Sequence, residues 1–451
     1  MTAPSGVLPL YALAAVVLLV VLITWVRLHA FIALLIVSTL TGLASGMAPA
    51  AIMTAFQDGV GSTLGFTAVV IALGAILGML ITESGGAAAV ATRVTSGVPA
   101  AALPWVVALV GFVVGLPVFF SVGLVLLIPI VVGLARSSGR SLASLALPLV
   151  AGLSASHGLV APHPGPLVAI DRLGADPGRS ILFALIAGIP AMLIAGPLFA
   201  RWGARGLVSS GPAVIEPSPS ATHATRAPSA SLTIGIILLP IVLMLAATLA
   251  DATLPPGTSA RWWIDFAGSP LAALLIATLV GYAVLGAATG ADRRRLATMS
   301  EQALVPLAGV LLVVGAGGGF GRVLDRAGVG EAIASAVAGW HLSPILFGWV
   351  LAALLRVAVG SATVAITTAA GIVAPIALAR PDVSRELIVV ALGAGSLVAS
   401  HVNDAGFWLV KEYLGLSVSD TLRTWTILET IISVVALLIV LGLSTLLTAH
   451  F

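Results

Sequence analysis

Between Arg93 and Arg136 the chain runs through 42 residues without a single Asp, Glu, Lys or Arg. A helix needs only about 20 such residues to cross the hydrocarbon core of a bilayer, so this one stretch holds enough apolar length for two crossings. A water-facing fold has no place for it, because surface must be covered with polar groups. Composition extends the constraint to the whole chain. Of 451 residues 59% are hydrophobic and 8% charged, against about 25% charged in an ordinary soluble domain. The chain therefore reads as an all-α polytopic membrane protein embedded in lipid.

Twenty basic against seventeen acidic residues leave a net charge of +3, and Lys411 is the sole lysine. Arginines scattered in short loops set membrane orientation and give no nucleic-acid footprint. With no cysteine there is no disulfide framework, thiolate metal site or thiol nucleophile. The first apolar run, Val7 to Val26, lacks a basic leading region and a small-residue cleavage site, and reads as the first span.

Apolar runs of spanning length recur near residues 7–26, 28–48, 59–82, 101–116, 118–135, 142–163, 180–200, 232–250, 268–288, 302–320, 342–356, 360–379, 387–410 and 425–448, which predicts about 12 to 14 segments, some of them re-entrant. Residues 203–231, with Pro212, Pro217, Pro219 and Pro228 among Ser and Ala, cannot bury a core. They read as a cytoplasmic linker between membrane units at 1–202 and 232–451.

The two units match each other. Leu134–His157 lies over Leu378–His401 without a gap, both opening Leu-Ala-Arg and closing Ala-Ser-His, and Leu73–Val94 lies over Ala316–Val337 with three glycines aligned. Two windows at nearly the same offset point to duplication. Arg27, Arg136, Arg140, Arg205, Arg226 and Arg293 to Arg295 fall on one side by crossing count, which should be cytoplasmic. The loop from Arg380 to Glu386, equivalent to Arg136–Arg140, is neutral and falls on the other. Equivalent loops on opposite faces describe inverted-topology repeats with broken helices, the architecture of many secondary transporters.

Polar and helix-breaking residues deep in such spans are functional candidates. Two clusters close the repeated windows: His157-Gly-Leu-Val-Ala-Pro-His163-Pro-Gly-Pro, which predicts a break across its prolines, and Ser400-His401-Val402-Asn403-Asp404-Ala-Gly-Phe-Trp408. Two interruptions precede them, Gly115-Leu-Pro-Val-Phe-Phe-Ser121 and Arg356-Val-Ala-Val-Gly360-Ser361-Ala-Thr363. Hydroxyls and free amides at a half-helix N-terminus suit a carboxylate, which Arg356 can also hold; its alternative role is snorkelling to an interface. His157 and His401 are repeat-equivalent and either bind a hydroxyl, shuttle a proton or satisfy a freed carbonyl. Asp404 reads as a proton-coupling carboxylate, a helix cap, or both. Glu83 is a further coupling candidate, although an interfacial charge explains it as well. His163 reads as structural. Trp25, Trp105, Trp262, Trp263, Trp340, Trp349 and Trp425 read as an interfacial belt.

These residues carry a resemblance. The stretches Gly61–Gly86, GLPVFFSVGLVLLIPIV from Gly115, HGLVAPHPGP from His157, GAGGGFGRVLDRAGVG from Gly315, RVAVGSATVA from Arg356 and SHVNDAGFW from Ser400 resemble the gluconate permease family of proton symporters, within the wider ion-transporter superfamily with paired re-entrant hairpins. The resemblance spans nearly the whole chain. It implies proton-coupled uptake of gluconate or a related sugar acid across a bacterial-type cytoplasmic membrane, with Ser121, His157, Arg356, Ser361, Thr363, His401 and Asn403 around the substrate and Asp404, His401 and Glu83 as proton carriers. Carriers of that family usually have an acidic residue where Ser121 stands. A glycerate-like acid or a hydroxy amino acid is the alternative cargo. From another class, an intramembrane enzyme using His401 and Asp404 is the alternative function. No metal-ligand set, cofactor fingerprint or Walker A segment accompanies the motifs. Oligomeric state is left open, a homo-oligomer included.

Overall fold

The computed structural model describes residues 8–207, 228–286, 292–329, 343–380 and 382–448, with 290 and 332 as isolated positions. Most of the expected linker and Trp340 lie outside the described residues. The first half contains α1 (Leu8–Thr24), α2 (Ala30–Ala44), α3 (Pro49–Glu83), α4 (Gly86–Thr95), α5 (Leu103–Gly115), α6 (Phe120–Ser138), α7 (Leu142–Leu159), α8 (Pro164–Leu173) and α9 (Pro177–Gly203, with a π turn at Ile194–Leu198). The second contains α10 (Ala230–Thr253), α11 (Ser259–Gly268), α12 (Pro270–Gly281), α13 (Arg293–Leu304), α14 (Leu307–Arg326), α15 (Pro344–Val359), α16 (Ala362–Leu378), α17 (Arg385–Gly395), α18 (Ala405–Leu414) and α19 (Val418–Leu447, with a π turn at Leu422–Thr426). Each of the fourteen apolar runs contains a helix.

Seven of the described helices are long and apolar enough to cross a bilayer, or eight if α11 and α12, which meet at 73°, form one bent span. Helices α2, α5, α15 and α16 are apolar but shorter, and the last three flank a break, as half-spans should. Helix α3 starts ten residues before the apolar run inside it. Its 35 residues reach about 52 Å at 1.5 Å per residue, well beyond the hydrocarbon core. The polar start continues as helix because it packs along α14, where Asp58 pairs with Arg326 at 3.0 Å.

Among the described residues six prolines, Pro129, Pro148, Pro190, Pro197, Pro240 and Pro375, sit inside helices without ending them. The proline-rich break after His157 is correspondingly shorter than its sequence predicts, covering only Val160 to His163. Pro164 takes the first position of α8, where the missing amide hydrogen would have had no helical partner.

Burial places α7 and α17 at the centre: every residue from Leu145 to Ser156, and from Leu387 to Gly395, is buried. Glycines permit the close crossings. A Cβ on Gly152 would sit 2.2 Å from the Ala108 carbonyl of α5, and one on Gly395 would sit 2.4 Å from the Trp349 carbonyl of α15. The α5–α7 and α15–α17 crossings are thus built alike, by small-residue contact. Packing between the halves is reciprocal as well. Helix α3 lies along α14 and α9 along α19, α8 meets α16 as α18 meets α6, and α7 meets α19 as α17 meets α9.

Leu13, Val242, Leu249 and Leu438 are exposed on the outer surface, where lipid is the solvent. Trp25, Trp262 and Trp263 are exposed too, in keeping with a belt. Trp349 and Trp425 are not part of it, because their indoles donate inward, to Ser433 and Ser400. In the loop after α16, Arg380 hydrogen-bonds Asp382 through two nitrogens and holds that carboxyl below its ordinary range. This loop and the α6–α7 loop occupy equivalent places. In the cysteine-free chain, Ser137→Cys and Asp382→Cys should react with a membrane-impermeant maleimide from opposite sides of the membrane; labelling from one side would rule out inverted repeats.

Candidate substrate cavity

Four interruptions meet at the centre of the fold: α5/α6 at Leu116–Phe119, α7/α8 at Val160–His163, α15/α16 at Gly360–Ser361 and α17/α18 at Ser396–Asp404. Around three of them lies a cavity of about 440 Å³, within the usual range for small-molecule sites. Its walls include the starts of α6 (Phe120, Ser121), α16 (Ala362, Thr363) and α18 (Ala405, Gly406). The first amides of a helix have no partner within it, and each helix start carries about half a positive charge. Three such ends facing one space form an anion site before any side chain is counted.

Arg356, in the last turn of α15, is 3% exposed and lines this space. Its Nη2 donates to Asp404 Oδ2, while Nε and Nη1 are buried with no partner. That geometry excludes snorkelling: the guanidinium points inward and keeps two donors free. Asp404 also accepts from Ser400 Oγ, and its Oδ1 accepts from the Gly406 amide at 3.0 Å as the cap of α18. Capping and ion pairing therefore coexist on one carboxylate. Asn403 donates to the carbonyls of Val357 and Ala358 at 2.8 and 3.3 Å, which closes the α17–α18 break onto the end of α15.

Gly360 makes that closure possible. Its φ is +76°, and a Cβ there would lie 2.3 Å from the Asn403 carbonyl oxygen, so both the turn and the approach require glycine. Ser361 caps α16, accepting from the Val364 amide at 3.4 Å. In the other half His163 Nε2 donates to the Gly115 carbonyl at 2.7 Å, tying the start of α8 to the end of α5, which is the structural role expected of it. His157 meets His163 edge-on, with ring centroids 4.6 Å apart, and has a buried Nδ1 without a partner.

Ser121, His157, Arg356, Ser361, Thr363, Asn403 and Asp404 all line the one cavity. His401 and Glu83 are outside its lining. His401 bonds the Ala399 carbonyl through Nδ1 at 3.1 Å, and Glu83 ends α3. Sequence reasoning missed Ser154, Trp425 and above all Glu429, which line the same space. The signal for Glu429 was present: it is the only charged residue after Arg423, inside an apolar span, where a charge is functional by default. The nearby Trp425 made that span end look interfacial.

The family described as GntP family permease matches residues 7–447. The chain belongs to the GntP permease family. It is 47% identical over 96% of both chains to a gluconate permease of Pseudomonas aeruginosa, and 44% identical to one of Zymomonas mobilis, over 97% of this chain and 98% of that one. It is also 39% identical to the Gnt-II system L-idonate transporter of Escherichia coli, over 98% of this chain and 100% of that one. In fold, this permease is similar to the YdaH transporter of Alcanivorax borkumensis, with a TM-score of 0.64 at 19% identity over 93% of this chain and 97% of that one. It is also similar to MtrF of Neisseria gonorrhoeae, with a TM-score of 0.58 at 16% identity over 87% and 83%. The permease is thus a multi-pass membrane transporter and not an enzyme, which sets aside the catalytic reading of His401 and Asp404.

Removing either partner of a buried ion pair leaves an uncompensated charge and costs about 3–5 kcal/mol. Arg356→Ala and Asp404→Ala should each lower the melting temperature of the purified permease and abolish substrate-dependent stabilisation. Gly360→Ala, which introduces no charge change, should do the same through the Asn403 clash.

Proposed function

We propose that this permease takes up gluconate or a closely related sugar acid together with protons. The observation that carries the reading is the cavity itself, in which three helix starts and Arg356 line a space large enough for a six-carbon acid. The names of the relatives, two gluconate permeases and an L-idonate transporter, support an aldonate as cargo. The substrate carboxylate sits against the starts of α6 and α16, near Ser121, Ser361 and Thr363, and against Arg356. Asn403 and His157 border the space left for its hydroxyls. A shorter carboxylate such as glycerate would leave part of that space filled by water.

The proton is carried by an acidic group in this cavity. Asp404 lines it, whereas His401 and Glu83, the other expected carriers, do not. The reciprocal packing of the halves supports repeats at 1–202 and 232–451 joined by the 203–231 linker, and alternating access as movement of one unit against another around this site.

Purified permease in proteoliposomes should accumulate labelled gluconate when the outside is made acid, and collapse of the gradient by an ionophore should release it. Gluconate accumulation that ignores the gradient would remove symport. Uptake of no carboxylate at all would remove the cargo assignment.

A further inference from the structure

Glu429 lies in α19, just past the π turn at Leu422–Thr426, and such turns cluster at functional sites. The residue is 1% exposed and lines the cavity, and its Oε1 has no hydrogen-bond partner. Ser154 of α7 lines the same space. The other titratable or charged groups lining this space are Arg356 from α15, Asp404 from the α17–α18 break and His157 from α7. Among them Arg356 is the one fixed cation, and Asp404 already engages it.

The two carboxyl groups therefore differ in kind. Asp404 receives three donors, from Arg356, Ser400 and the Gly406 amide. A proton on it would break the pair with Arg356 and weaken the cap of α18. Glu429 has a buried oxygen without a partner and no ion pair among the described residues. Taking a proton costs it no existing bond, and a buried carboxylate without a counter-ion is the group that gains most from one.

We propose that Glu429 carries the transported proton, and that Asp404 stays ionised as a positioning residue that aims Arg356 at the substrate. This rests on the proton-coupled reading above and assigns its carrier. With an anionic substrate bound beside Arg356 and Asp404, protonated Glu429 leaves one formal negative charge in the cavity rather than two. Binding of the anion and of the proton thus favour each other. A water on the entry side gives up the proton, which bonds a carboxylate oxygen of Glu429. After the cavity has turned and the substrate has left, that O–H bond breaks and the proton passes to water on the other side.

Two measurements on the same proteoliposomes test this. Counterflow exchanges internal for external gluconate without net proton movement, whereas gradient-driven accumulation needs the proton to be released. Glu429→Gln should retain counterflow within about threefold of wild type and lower gradient-driven accumulation by about tenfold or more. Accumulation at the wild-type level, or loss of counterflow together with accumulation, overturns the proposal. Independently of any variant, dicyclohexylcarbodiimide attacks protonated carboxyl groups in apolar surroundings. Mass spectrometry of the treated wild-type permease should find Glu429 modified, less so as the pH is raised, with Asp404 intact. Modification of Asp404 instead, or of neither residue, overturns the proposal. Wild-type permease that accumulates gluconate without a proton gradient would instead mark failure of the symport reading, a result read from the wild-type arm alone.

Discussion

The contact between Arg356 and Asp404 joins the end of α15 to the start of α18, and the breaks of the second half are organised around it. Buried ion pairs contribute little net stability, because desolvation offsets most of the attraction. Their strength lies in how costly it is to take them apart, which makes them good devices for fixing geometry. Here the geometry extends outward in a chain. Ser400 donates to the same carboxylate and receives the Trp425 indole at 2.8 Å, so the pair is tied to α19. Asn403 and Gly360 close the backbone of one break onto the other. The arginine is held with two donors unspent, and that is the property a carboxylate site needs.

The first half makes the corresponding joint without charge. His163 precedes the start of α8 as Asp404 precedes the start of α18, and it reaches the end of α5 through one hydrogen bond to Gly115, where Asp404 reaches the end of α15 through an ion pair. The two halves thus use a neutral and an ionic version of a similar connection. The consequence is a polarised cavity. Its fixed cation and both acids come from the second half, while the first contributes hydroxyls, aromatic rings and His157.

Much of this was readable in the residues alone, for a physical reason. In an apolar chain a charge, a Gly-Ser pair or a proline cluster is conspicuous, so Arg356, Gly360, Asp404 and the broken helices announced themselves. The repeat did so through Leu-Ala-Arg and Ala-Ser-His. Sequence could not tell which polar groups share a space, because that depends on tertiary packing: His157 and His401 are equivalent in the repeat, yet only His157 borders the cavity. Nor could it separate prolines that end helices from those that do not. Pro148 sits within a helix packed on every side, whereas Pro164 begins one. Glu429 was legible by the same rule that found Arg356 and was obscured by a tryptophan that the fold turns inward.

Position 121 shows how little chemistry is needed to set the balance of such a site. Ser121 occupies the second residue of α6 and is exposed at the cavity. An acidic side chain there would sit on the positive end of the helix and neutralise much of it. A serine adds a hydroxyl donor and leaves the helix end available to an anion. With the start of α6 free of any side-chain cap, that of α16 capped only by a neutral hydroxyl, and Arg356 committed on one side only, attraction for a carboxylate is spread over backbone amides and one guanidinium rather than concentrated in one side chain. Such a site tolerates variation in the rest of the acid. On the proposed function, discrimination among acids then falls to Asn403, His157 and Thr363, which line the cavity and where a missing partner would leave a polar group unsatisfied.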